Sequence, residues 1–388
     1  MRMNPKLLLY LLAVVALAIT FTVPAVAQGA PPQGASAGNS GGNQQQDVPE
    51  AGGPEINTSP VVVPKKKEEP PPPPQKKVKN PEGMGDYTLS VSVPVVTVDC
   101  LVTTKSGEFL PGLKRENFKV MEDGVPQTVT SFQQTEAPIT AVLVLEFAST
   151  YASFINDMFN YAYGFASSLK PQDWVAVVSY DMKTRLEQDF TQDKRQVFGA
   201  LNRMQMPMFR ETNEFDALYY TLDRLERVEG HKYIILISSG RDTFSKLNYD
   251  EVLKKVKISH DVTIFAVSTG QWVRTVSDPY TPATVRMDYL QADNEMNTFA
   301  KLTGGRAYFP RFQGEVREIM GDISNSIRNQ YSLTYHSTNT KQDGTYRKIK
   351  VELVDAETGG PINLHVNGKP AKYNIIAREG YTAKKEVE

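Results

Sequence analysis

Pro138-Ile139-Thr140-Ala141-Val142-Leu143-Val144-Leu145-Glu146-Phe147-Ala148-Ser149-Thr150 is the stretch on which the reading of this chain turns. Ala141 to Leu145 is apolar at every position, without the alternation of a half-buried strand. A strand covered by helices on both faces reads this way, so the run predicts a central parallel strand. It ends at Glu146, which small and hydroxylic residues follow. Open α/β sheets bind ligands at the carboxyl ends of their strands. The expectation is a carboxylate held by a buried backbone and exposed to a partner.

Downstream the pattern alternates. Phe154, Met158, Ala162, Phe165 and Leu169 recur at helical spacing, and Trp174 to Tyr180 reads as a second buried strand. Asp181-Met182-Lys183-Thr184 turns into an edge strand ending near Phe190. Val197, Leu201 and Met204 mark a helix, and Phe215, Leu218, Leu222 and Leu225 another, with Thr212 or Asn213 as its N-cap. Tyr233 to Ile237 and Val262 to Val267 are strands around a helix carrying Val252 and Val256. Residues 270–291 read as a long loop with Trp272 and Tyr280, before helices carrying Met296, Phe299 and Leu302, then Val316, Ile319, Ile323 and Ile327. Strands alternating with amphipathic helices predict a doubly wound, mostly parallel α/β domain over residues 137–330, with helices on both faces.

On either side the period falls to two. In 85–136, Leu89, Val91 and Val93 lead to Val98, Cys100 and Val102 through one slip near Val95-Val96, suggestive of a bulge. Phe118 to Met121, the turn Glu122-Asp123-Gly124 and Gln127 to Phe132 read as a hairpin. In 331–388, Tyr331 to Tyr335, Tyr346 to Leu353 and Tyr373 to Ile376 read as strands. Each flank has an apolar face without a partner, so the two are expected to pair as one β-sandwich with the α/β domain inserted in it.

The 388 residues carry a formal net charge of −1, which gives no electrostatic reason for a nucleic-acid partner. With one cysteine, Cys100, no intramolecular disulfide forms, and a buried small hydrophobe is the expected role. Arg2 and Lys6, the apolar run Leu7 to Val23, and Ala25-Val26-Ala27 have the form of a signal peptide over residues 1–27. Export with cleavage after Ala27 is the first reading, and an uncleaved membrane anchor the second. Residues 28–84 are rich in Gly, Gln, Pro and Lys, and are expected to be a disordered linker stiffened by Pro70 to Pro74. Its lysines are read as solvated charge, with contact to anionic envelope polymer as the alternative.

From about Val91 to Ala383 the chain resembles the VWFA-related family of exported bacterial proteins, which has the von Willebrand factor A fold. The resemblance rests on Glu116 to Gly124, Ile234 to Asp242, Leu302-Thr303-Gly304-Gly305-Arg306-Ala307-Tyr308-Phe309, Tyr346 to Val351 and Arg378-Glu379-Gly380-Tyr381. It implies a divalent-ion site at the end of the first strand, with an Asp-x-Ser-x-Ser signature completed by a Thr and an Asp from two further loops. By position those places fall on Glu146, Ala148, Thr150, Thr212 and Ser239, with Asp242 near the last. One carboxylate is lengthened, one hydroxyl is lost and one carboxylate has become Ser. The expectation is a degenerate site with no cofactor, Mg²⁺ or Mn²⁺ being the alternative. Arg241, or Arg210, is considered in the ion's electrostatic role, beside the plainer reading of two solvated arginines.

The four histidines show no metal-ligand spacing, and neither a Gly-x-Ser-x-Gly elbow nor a phosphate-binding loop is present, so no enzyme is expected. The functional expectation is a cell-envelope module that binds an unidentified protein. Its ligand face would comprise Phe147, Ser149, Arg210, Arg241, Trp272 and Tyr280. The alternative is an architectural envelope scaffold without a switched ligand site.

Overall fold

A computed structural model describes residues 94–385, apart from 106, 135–137, 150–153, 205, 272–273, 275–280, 367–368 and 371. The signal-peptide and linker readings, and Leu89, Val91 and Val93, lie outside these residues. In chain order the elements begin with β1 (Val95–Thr104), β2 (Phe118–Glu122), β3 (Val125–Gln127), β4 (Val129–Gln134), β5 (Thr140–Glu146), α1 (Ile155–Ser168), β6 (Trp174–Tyr180), β7 (Thr184–Thr191), α2 (Lys194–Arg203) and α3 (Glu214–Leu225). They continue with β8 (Lys232–Ser238), α4 (Tyr249–Ile258), β9 (Val262–Ser268), α5 (Ala283–Thr303), β10 (Ala307–Tyr308) and α6 (Val316–Arg328). The last are β11 (Tyr331–His336), β12 (Tyr346–Leu353), β13 (His365–Val366), β14 (Lys369–Pro370), β15 (Tyr373–Ala377) and β16 (Gly380–Thr382). Among the described residues no helix is long and apolar enough to cross a membrane.

The unbroken apolar run becomes β5, the centre of a sheet ordered β10-β9-β8-β5-β6-β7. Its strands are parallel except β7, which runs antiparallel along the edge. The lack of alternation has a direct cause: successive side chains feed two different cores. Leu143, Leu145, Val177, Ile235 and Phe265 face α1, α2 and α6, meeting Met158, Phe165, Leu201 and Ile323. Val142, Val144, Val178, Ile234 and Leu236 face α3, α4 and α5, meeting Leu218, Leu222, Val256 and Phe299. Each such side chain, fully buried, stabilises the fold by about 1.5–3 kcal/mol before entropy is counted. Because β5 is followed by β6 on one side and flanked by β8 on the other, the strand order reverses beside β5. Open sheets place ligands at such a switch point, and Glu146 ends β5 there.

The flanking segments pair as expected from their apolar faces. One sheet is ordered β15-β1-β11-β4 and the other β16-β12-β2-β3, all antiparallel. Val98, Cys100, Phe118, Val120, Leu333, Tyr335 and Ile349 meet in one core between them. The turn after Glu122 has positive φ at Asp123 (48°) and Gly124 (82°), the pairing that a tight hairpin requires.

Three readings are corrected. The return strand expected over Gln127 to Phe132 is divided at Thr128, so that β3 joins one sheet and β4 the other. No bulge interrupts β1; its slip arises because Val95 is 60% exposed while Val96 starts the buried phase. The loop expected to run to Gln291 gives way to α5 at Ala283. The first turns of α5 are mostly exposed, and its buried set begins at Ala292, so no apolar period announced them.

Candidate functional site

Three adjacent strands end at the same level. Glu146, Tyr180 and Ser238 are the last residues of β5, β6 and β8, and the sheet's parallel register sets them side by side. The N-terminus of α3 adds Glu214, its first residue. Glu146 is 5% exposed, and Tyr180, Glu214 and Ser238 are fully buried. The expectation that Glu146 faces a partner is therefore corrected: it stands at the strand end, beneath the loops.

Its carboxylate is enclosed by donors. Oε1 accepts from the Ser239 hydroxyl at 3.1 Å. Oε2 accepts from the Ser238 hydroxyl at 3.2 Å and from the Ser239 backbone N–H. Ser238 Oγ also contacts Glu214 Oε2, and the Tyr180 hydroxyl lies 2.6 Å from Ser238 Oγ and 3.1 Å from Glu214 Oε2. Two hydroxyl protons serve these four oxygen–oxygen contacts. A protonated carboxyl adds a third donor to the cluster. Glu214 Oε1, buried without a hydrogen-bond partner among the described residues, agrees with a neutral rather than an ionised group.

The electrostatics follow from that burial. Desolvation pushes the Glu146 carboxyl up to about 7, against the hydrogen bonds from Ser239 and Ser238. It pushes Glu214 up to about 8, helped by the nearby charges of Glu146 and Asp242. Both native values exceed the 4.5 of an unperturbed Glu. The folded state thus holds protons that the unfolded chain has released. The stability this contributes is full below 4.5 and is lost as the pH rises through about 7 and 8.

The residues expected to surround an ion are divided among other tasks. Glu146 and Ser239 do meet. Thr212 is buried and donates from Oγ1 to the Arg241 carbonyl at 2.6 Å, joining two loops. Asp242 accepts from Phe215 N–H at 2.9 Å and from Ser245, which caps α3 where Asn213 makes no side-chain cap. Thr150 lies outside the described residues. Ala148 has no side-chain oxygen, and both oxygens of Glu146 already take protein donors. A hard divalent cation needs some six oxygen ligands, and this donor set does not fit it.

The ligand-face residues also separate. Phe147 is corrected to a core position, 7% exposed and edge-on to Phe159 at 6.1 Å, because it continues the parity of Leu143 and Leu145. Ser149 is half-buried, with both its N–H and its hydroxyl on the Phe209 carbonyl. Arg210 is exposed. The Arg241 guanidinium lies 3.5 Å from Asp288 and 5.2 Å over the Tyr289 ring. The described donors to Glu146 are Ser238 and Ser239, and the nearby charge of Arg241 favours the ionised carboxylate. Trp272 and Tyr280 lie outside the described residues. Sequence reasoning missed Glu214, Tyr180 and Ser238. Alignment of the three strand ends would have found the last two, whereas Glu214 reads as an ordinary first-turn helix acid.

Comparison with known proteins bears on this fold. The von Willebrand factor type A domain matches residues 145–309. The search of curated proteins returns no match. Among solved structures, the vWF domain of the type V pili tip protein Mfa5 from Porphyromonas gingivalis is similar at 21% identity and a TM-score of 0.25, over 28% of this chain. The chain spans 40% of that structure's length. An aerotolerance-related membrane protein from Bacteroides fragilis is similar at 11% identity and a TM-score of 0.38, over 48% of this chain and 98% of that one. A von Willebrand factor type A protein from Catenulispora acidiphila is similar at 12% identity and a TM-score of 0.37, over 78% and 76%. The match to the von Willebrand factor type A domain thus runs from the end of β5 through β10.

Proposed function

We propose that the chain is an exported cell-envelope protein whose type A domain binds a protein partner, in adhesion or assembly, without a divalent ion. The supporting observation is where the large exposed hydrophobics lie. Met206 and Met208 are each 79% exposed, Phe244 42%, Met287 69% and Leu290 62%. All five sit on loops or a helix start at the carboxyl end of the central sheet. The segments that carry them are tied together: Ser149 N–H bonds the Phe209 carbonyl at 2.7 Å, Phe244 N–H bonds the Thr212 carbonyl at 2.8 Å, and Arg241 reaches Asp288. Exposed Met and Phe gathered on one end, with Arg210 among them, suit a protein interface. Export is supported by the form of residues 1–27. The reading is non-catalytic.

The architectural alternative is favoured by the enclosure of Glu146. The two readings part in a capture experiment on native envelope extract with wild-type protein, with EDTA, and with the variant Met208→Asp/Phe244→Asp. Both substitutions are on the surface and are expected to change stability by less than about 0.5 kcal/mol. Binding through this face predicts capture that EDTA leaves unchanged and the variant loses. Capture retained by the variant favours the scaffold. Capture abolished by EDTA contradicts the ion-independent reading.

A further inference from the structure

At the other end of the α/β domain, where the turn between α4 and β9 meets the sandwich, a cavity of about 430 Å³ is lined by three cations and one carboxylate. Arg378, between β15 and β16, is 8% exposed. Its described hydrogen bonds go to backbone carbonyls, Nε to Gly380 at 2.9 Å and Nη2 to Ser259 at 3.4 Å. Lys341, on the loop between β11 and β12, and Lys384, after β16, are exposed and line the same space. Asp261 is the carboxylate, and His260 completes the charged and titratable lining. His260 is edge-on to Tyr381 at 6.1 Å.

The balance of charge is unusual for so enclosed a guanidinium. A buried charge is expensive unless an opposite charge and good hydrogen bonds offset the lost hydration. Arg378 has the hydrogen bonds and the nearby charges of Asp261 and Asp99, while Lys341 and Lys384 add two cations to the lining of the same cavity. Burial and then the charge of Arg378 hold His260 below its ordinary value, with Asp261 opposing and Lys384 and Lys232 adding to the shift. A guanidinium flanked by ammonium groups in a cavity of this size has the form of an oxyanion receptor.

We propose that this cavity is an anion-binding site, taking a small molecule or polymer end that bears phosphate or carboxylate groups, with Arg378 as the fixed contact and Lys341 and Lys384 closing over it. It is independent of the partner-binding face, which lies at the opposite ends of the strands.

The test is thermal unfolding of the full chain with inorganic pyrophosphate or citrate, against sodium chloride at matched ionic strength. The double variant Lys341→Glu/Lys384→Glu keeps Arg378 and changes only exposed side chains. The expected result is a rise of roughly 2–3 °C once the anion is about tenfold above its Kd, growing with the logarithm of its concentration, absent with chloride and lost in the variant. A response to pyrophosphate alone assigns a phosphate ligand, and one to citrate alone a carboxylate. An equal shift with chloride, no shift with either anion, or a shift that persists in the variant overturns the site.

Discussion

Glu122→Ala lowers the stability of the chain by about 3–5 kcal/mol, the cost of removing one partner from a buried ion pair. Glu122 ends β2 at 2% exposure, and Arg347 in β12 is 1% exposed. Glu122 Oε1 accepts from Arg347 Nη1 at 3.3 Å and from the Ser337 hydroxyl at 2.6 Å. Oε2 accepts from the hydroxyls of Tyr335 at 2.8 Å and Tyr381 at 3.1 Å. Arg347 also donates to the carbonyls of Asn339 and Lys341. One carboxylate therefore joins β2, β11, β12 and β16, which belong to both sheets of the sandwich. Without it, the buried guanidinium loses its counter-charge and two tyrosine hydroxyls lose their acceptor. Urea unfolding of Glu122→Ala, Arg347→Met and the double variant checks the origin of the loss. The double variant should cost less than the sum of the singles, because no charge is then stranded. Strict additivity, or a single-variant loss below about 1 kcal/mol, contradicts this.

Gly305→Ala is the second large effect, expected at about 3 kcal/mol by overpacking against backbone. A Cβ at Gly305 would lie 1.9 Å from the Ile264 carbonyl oxygen and 2.8 Å from its carbon. Neither atom can yield without moving β9. Gly304, at φ 82°, ends α5, and the chain must then pass close under β9 for β10 to pair with it. The Ala266 N–H to Arg306 carbonyl bond of 3.0 Å sits on that approach. The control is Gly124→Asn, where φ is 82° but no atom lies within 4 Å of the added Cβ. Asn tolerates that conformation, so the control should lose less than about 1 kcal/mol. Equal losses in urea unfolding would assign the effect at Gly305 to something other than close approach.

The fold was legible where burial leaves a mark on composition. Ala141 to Leu145 is apolar throughout because its two parities serve two cores, and Val98, Cys100 and Val102 alternate because β1 serves one. What went unread is what burial does not mark. The start of α5 is mostly exposed and keeps no apolar period. The break at Thr128 depends on which sheet receives each half of the strand. At the site, Glu146 and Ser239 were readable from their places after β5 and β8. Glu214 and Tyr180 were not, because their role depends on the register between strands and on where α3 begins. Phe147 differs for the opposite reason: it shares the parity of Leu145, and the turn after Glu146 does not end the buried face.

The proposed ion-independence of the type A domain rests on a proton shared within the Glu146–Ser238–Glu214–Tyr180 cluster. Its most direct test is the unfolding free energy of wild type and the double variant Glu146→Gln/Glu214→Gln between pH 5 and pH 8.5, with and without Mn²⁺. The amides keep the hydrogen-bonding shape but cannot lose a proton. Since both native carboxyls titrate above 4.5, wild type should lose stability relative to the variant as the pH rises through about 7 and 8, and Mn²⁺ should change neither profile. A saturable gain in wild-type stability with Mn²⁺ at pH 8, absent in the variant, would contradict the account.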